Sequence, residues 1–99
     1  MLSILIPVYN FDIRKLVKEL HSQATNANIT FEILVFDDAS HPSFYLKNRE
    51  IETLPNVLYK ELDYNIGRSK IRNKLCKESK YDYLLFMDSD AFIPSDNFI

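Results

Sequence analysis

Glycine is nearly missing from this chain: Gly67 is the only one in 99 residues. Proline occurs four times, cysteine once at Cys76, and tryptophan never. Each shortage excludes something. A lone cysteine cannot close an internal disulfide, so it reads as a small helix residue in a reducing compartment. So little glycine and proline leaves no material for a hinge, and no repeat or low-complexity tract interrupts the chain, so 1–99 reads as a single unit. Charge of neither sign dominates. Twelve basic and 14 acidic side chains, mixed along the sequence, sum to −2, which argues against a general electrostatic grip on nucleic acid or anionic lipid. Long apolar runs are absent too. The N-terminal MLSILIPVYN has no basic stretch and is broken at Pro7, so neither a signal peptide nor a membrane span is expected, and a cytoplasmic location is.

What is present is a well-stocked interior, with 46% apolar residues and 13% aromatics. Leu2 to Val8 is a short apolar run of the kind that lies in a sheet covered on both faces. Behind it, Ile13, Leu16, Val17, Leu20 and Ala24 fall at helical offsets and form one stripe, with Asp12 placed to cap the helix. Phe31 to Phe36 is a second buried-strand run. Turn chemistry at Ser40 to Ser43 leads to a short helix around Phe44 to Ile51. A third strand is expected over Val57 to Leu62 and a helix over Ile66 to Ser79, with Ile71 and Leu75 as its apolar contacts. The fourth strand, Tyr83 to Met87, reads as buried and runs into Asp88 and Asp90 before the chain turns apolar again at Ala91, Phe92 and Ile93. Alternating strands and helices imply right-handed parallel units, and such open sheets bind ligands beyond the carboxyl ends of their strands. Tyr9, Asn10, Asp37, Asp38, Asp88 and Asp90 all fall at those ends.

Two carboxylates one residue apart repel each other and resist burial, so a cation between them is a natural expectation. Mg²⁺ or Mn²⁺ suits Asp88 and Asp90, being oxygen-ligated and usually held by one or two carboxylates together with phosphates and water. A D-x-D in isolation is more often a capped turn facing solvent, and context decides. Either Asp37 or Asp38 could cap the following segment, or accept a hydrogen bond from an imide N–H such as that of uracil. Tyr9 could lie flat against a base or simply border the core. Gly67 at a helix start would let backbone N–H groups approach a phosphate. Arg68 and Arg72, four apart, could clamp a pyrophosphate or hold an aspartate, with Lys70 beside them on a solvated face. His21 and His41 have no metal-site spacing.

Taken together and in this order, SILIPVYN, EILVFDDAS, NIGRSKIRN and FMDSDAF resemble the N-terminal half of the family 2 glycosyltransferases, inverting enzymes with the GT-A fold. The resemblance covers essentially the whole chain. It implies an α/β fold of three layers around a mostly parallel, Rossmann-like open sheet. It also implies that Asp38 contacts uracil or an equivalent base with Tyr9 packed near it, and that Pro7, Gly67, Arg68 and Arg72 belong to the same nucleotide site. Asp88 would then hold the ribose and share a divalent metal with Asp90, its direct ligand. The substrate implied is a nucleoside-diphosphate sugar, a UDP-sugar by the base contact, used with Mg²⁺ or Mn²⁺ to glycosylate a glycan, lipid-linked or protein hydroxyl.

Two departures stand out. Ala39 occupies the position where the family usually has glycine. The sequence also stops at Ile99, directly after the D-x-D, so the family's acceptor-binding half and its general base are expected beyond residue 99, and the isolated chain is expected to be inactive. A non-catalytic nucleotide-binding or regulatory module is the alternative. A sheet left open beside strand four would favour a homodimer. Phosphotransferases of the haloacid-dehalogenase or receiver type also gather acids at strand ends, but they need an aspartate after the first strand, where this chain has Tyr9-Asn10.

Overall fold

The computed structural model describes residues 1–91, so the apolar Phe92 and Ile93 lie outside the described residues. Four strands, β1 (Leu2–Val8), β2 (Phe31–Asp37), β3 (Val57–Glu61) and β4 (Tyr83–Phe86), form one sheet in the order β3-β2-β1-β4. Every pairing is parallel, from Leu2↔Phe31 to Val8↔Asp37 in the centre and from Leu2↔Tyr83 to Leu5↔Phe86 on the β4 side. Three helices join them: α1 (Arg14–Asn26), α2 (Pro42–Asn48), which passes into a 3-10 helix at Arg49–Thr53, and α3 (Arg68–Glu78).

Successive strand residues point to opposite faces, and both faces are apolar here, so each must be covered. Ile4, Ile6 and Val8 of β1 and Ile33 and Val35 of β2 pack with Leu16, Val17, Leu20 and Ala24 of α1 and with Ile51. Leu5, Leu34 and Phe36 point the other way and are covered by Ile71 and Leu75 of α3. The expected three-layer α/β architecture follows from this alternation. Among the described residues no helix is long and apolar enough to cross a membrane.

Some local expectations need correction. Ile13, not Asp12, sits at the N-cap of α1, and it makes no side-chain cap. Asp12 instead accepts the Arg14 N–H at 3.1 Å and is gripped by the Arg14 guanidinium at 2.7 and 2.9 Å. That contact pulls the Asp12 carboxyl down to about 2. The short helix begins at Pro42 rather than Phe44, because proline suits the first helical turn and the His41 ring accepts the Ser43 N–H at 3.2 Å. β4 does not read as buried here: among the described residues it lies at the end of the strand order, with Tyr83 74% and Leu84 37% exposed, and of its residues only Leu85 and Phe86 reach the two cores. A buried carboxylate fastens the chain entering it. Glu32 accepts the Ser3 hydroxyl at 2.6 Å and the Lys80 N–H at 2.8 Å.

Candidate functional site

Strand order reverses at β1. The chain leaves β1 towards β2 and β3, then crosses through α3 to β4 on the opposite side of β1. The loops that follow β1 and β4 and the start of α3 border a crevice at the carboxyl ends of the strands. The crevice is a cleft of about 680 Å³. Pro7 and Tyr9 from the end of β1, Asp38 from β2, Gly67 and Arg68 from the start of α3, and Asp88 and Asp90 from beyond β4 all line it. Arg72 lies in an adjoining hollow with Pro7, Arg68, Phe86 and Asp88, its guanidinium 4.5 Å from the Phe86 ring centroid.

The two adjacent aspartates after β2 take different roles. Asp37 is fully buried, accepting the Ser40 N–H at 2.8 Å and the Ser40 hydroxyl at 2.6 Å. Burial pushes its carboxyl above the usual range. It is a turn-holding residue. Ser40 in turn accepts the Asn10 N–H at 2.8 Å, while the Asn10 side chain accepts the His41 N–H at 2.8 Å, so the loops after β1 and β2 are laced together. Asp38, 5% exposed, faces the cleft instead. Its N–H donates to the Val8 carbonyl at 2.8 Å, and its carboxylate accepts the N–H groups of Ile66 at 2.8 Å and Gly67 at 3.0 Å. The Asn65 side chain donates to the Asp38 carbonyl at 3.1 Å. A carboxylate has roughly four acceptor positions, so two remain for a ligand.

These bonds change how Gly67 works. Its φ is +87°, a conformation that L side chains rarely adopt, and a Cβ there would meet nothing within 4 Å. The glycine is needed for backbone conformation rather than for space. Its own N–H is turned to Asp38, so the amides left for an anion at the α3 N-terminus belong to the residues that follow, beginning with Arg68.

Beyond β4 the chain turns at once, with the Ala91 N–H donating to the Asp88 carbonyl at 3.0 Å. Asp88 and Asp90 thus share one turn at the cleft's edge. Arg68 donates to Asp88 at 2.6 Å in an exposed pair, and Asp90 has no partner among the described residues. No group of three or more His, Cys, Asp or Glu gathers among the described residues. A divalent ion would thus find two hard oxygen donors here and take its other ligands from phosphate and water, a donor set that fits Mg²⁺ or Mn²⁺ and not a closed all-protein site.

Several contributors escaped the sequence reading. Phe11 and Asn65 line the cleft. Asn65 opens NIGRSKIRN, a segment expected on this rim, and only its own role was not read. Asn48 is fully buried, accepts the Ile13 N–H at 2.9 Å and donates to the Phe11 carbonyl at 2.8 Å, and so fixes the loop that carries Phe11. Nothing in its neighbourhood signals this. Lys70 is exposed and outside the cleft, as its solvated reading implied.

The model of glycosyl transferase family 2 matches residues 3–99. Over 100 aligned residues the chain is 34% identical to a poly(ribitol-phosphate) beta-glucosyltransferase of Bacillus spizizenii, covering 96% of this chain and 16% of that protein. In structure it is similar to S. aureus TarS 1-349 in complex with UDP-GlcNAc, with a TM-score of 0.74, 28% identity, and coverage of 90% of this chain and 26% of that one. The mannosyltransferase PcManGT from Pyrobaculum calidifontis, in complex with GDP-Man and Mn²⁺, shares the fold with a TM-score of 0.83 at 21% identity, over 97% of this chain and 29% of that one. The chain spans less than a third of the length of each of these proteins.

Proposed function

The chain belongs to glycosyl transferase family 2, and from that premise we propose that its cleft binds a nucleoside-diphosphate sugar, a UDP-sugar, together with Mg²⁺ or Mn²⁺. The sugar is destined for a hydroxyl of a glycan, lipid-linked or protein acceptor. One observation carries the reading: a buried carboxylate, a helix start with Arg68 and a pair of exposed carboxylates border the same crevice, with Arg72 in the hollow beside it. Each suits a different part of one ligand.

Asp38 uses its free acceptor positions for the imide N–H of uracil, and the exposed ring of Tyr9 provides a flat surface for the base. A site built around a buried acceptor disfavours bases that lack the matching donor, since the acceptor would be left unpaired. Arg68, Arg72 and the α3 N-terminus face the diphosphate, and Asp88 the ribose. A divalent ion held by Asp90 and Asp88 would neutralise charge on the diphosphate as it leaves. The acceptor hydroxyl attacks the anomeric carbon as the bond to the diphosphate breaks, and its proton goes to a general base outside this set of residues.

The test is titration calorimetry of UDP with and without Mn²⁺. Metal and nucleotide should each raise the other's affinity by the same factor. Asp90→Ala should remove that coupling more completely than Asp88→Ala. Equal UDP affinity in both conditions, or coupling that survives Asp90→Ala, would leave the turn at 88–91 as a turn only.

A further inference from the structure

The nucleotide-sugar reading does not explain why one of the two exposed carboxylates already has a cationic partner. Arg68 donates to Asp88 at 2.6 Å, with the two side chains 67% and 60% exposed, while Asp90, on the same turn, has no partner among the described residues. We propose, resting on that reading, that Arg68 guards the metal position: it neutralises Asp88 while the cleft is empty and releases it only when a diphosphate arrives.

Three features support this. The pair is solvent-exposed, and such pairs are weak, so it can be exchanged at little cost. The backbone beneath Arg68 is fixed, because Gly67 is held by Asp38 and the Ile71 N–H donates to the Gly67 carbonyl at 3.1 Å, so only the long side chain need swing. Arg72, by contrast, is stacked on Phe86 and is not the mobile cation of the pair. A divalent ion entering without nucleotide meets a guanidinium at one of its two carboxylates, and like charges at such distances repel. No third acidic or imidazole ligand compensates among the described residues. A diphosphate changes both terms. It offers the planar guanidinium two phosphate oxygens at once and offers the ion further oxygens. Metal and nucleotide then enter together, and Arg68 is the element that makes the joint state preferred over metal alone.

The experiment uses the full protein, stripped of metal, and measures two affinities by calorimetry: Mn²⁺ alone, and UDP with Mn²⁺ present. Arg68→Gln should bind Mn²⁺ alone about fivefold more tightly, the scale of an exposed ion pair, and should bind UDP with Mn²⁺ about tenfold more weakly. Opposite signs are the signature, since a simple phosphate clamp would change only the second. Lys70→Gln removes the same charge from the same helix turn outside the cleft and should change neither. Unchanged or weaker Mn²⁺ binding by Arg68→Gln overturns the proposal, as does an equal gain in Lys70→Gln. If the unaltered protein shows no coupling between Mn²⁺ and UDP, the reading of the cleft fails and this inference with it. Coupling that is intact, with Mn²⁺ affinity indifferent to Arg68, removes only the guarding role.

Discussion

Replacing Ala39 with glycine should make the protein more stable. Ala39 has φ +59°, in the left-handed region that favours glycine. The backbone on either side cannot relax: the Asp38 N–H is bonded to Val8, and the Ser40 N–H to Asp37. An L-residue with a Cβ is disfavoured there by roughly 1–2 kcal/mol. Glycine escapes that cost, but it loses about 0.4–1 kcal/mol more than alanine through the entropy of the unfolded chain. The difference is a gain of about 0.5–1 kcal/mol, which for a unit of this size raises Tm by about 2–8 °C. Urea and thermal unfolding of the two proteins measure it directly. Ala39→Val is the opposing control, since a β-branched residue tolerates positive φ worst and should lower Tm. A Tm for Ala39→Gly at or below that of the parent, or Ala39→Val indistinguishable from it, would show that the turn after β2 carries no such strain.

Other perturbations follow from the bonds around the cleft. Asn48→Ala strands the buried Ile13 N–H and should cost about 2 kcal/mol, lowering Tm by about 10 °C in a thermal scan; a fall of under 2 °C would mean that water replaces the side chain. Asp38→Asn offers one acceptor oxygen where two backbone amides now bind two, so it should lower Tm as well as reduce the preference for UDP over ADP, whose six-membered ring offers no N–H, in competition binding. Unchanged selectivity would remove Asp38 from the base site. Asp12 has a folded pKa of about 2, below its ordinary 3.8, so its contribution is present above about pH 4 and is lost as pH falls through 2. The difference in urea midpoint between Asp12→Asn and the parent should therefore shrink between pH 4 and pH 2, modestly, because the pair is exposed; a difference constant with pH would refute an ionic contribution.

The sequence announced β1 and β2 clearly, because a strand covered on both faces needs an unbroken apolar run, and Leu2–Val8 and Phe31–Asp37 are such runs. The same signal misled at β4. Tyr83 to Met87 is as apolar as a central strand, yet among the described residues β4 is paired on one side alone and Tyr83 and Leu84 are exposed, and composition does not record which neighbours a strand has. The site was legible where residues cluster in sequence: of the eight residues expected from four short segments, seven line one crevice and Arg72 lies beside it. It was illegible where a single polar side chain acts at long range. Asn48 serves Ile13 from 35 positions away, and Glu32 serves Lys80 from 48, with no periodicity to mark either. Asp37 and Asp38 are chemically identical neighbours, and only the packing around them decides which holds a turn and which faces the cleft.

The position of β4 has a consequence for how the site opens. Its ladder to β1 holds four residue pairs, against seven between β1 and β2, and among the described residues β4 is paired on that side alone. Proteins open in parts, and the parts with the shortest ladders and least buried surface open first. Here that part carries Asp88 and Asp90, whereas Asp38 and Tyr9 follow the two central strands. Hydrogen exchange would therefore separate the cleft into a slow-exchanging wall that carries Asp38 and Tyr9 and a fast-exchanging wall that carries Asp88 and Asp90. On the proposed reading of the cleft, a bare nucleoside should touch only the slow wall and leave β4 exchange unchanged, whereas a diphosphate with its cation should span the gap and draw the amides of β4 towards the protection of the sheet's centre.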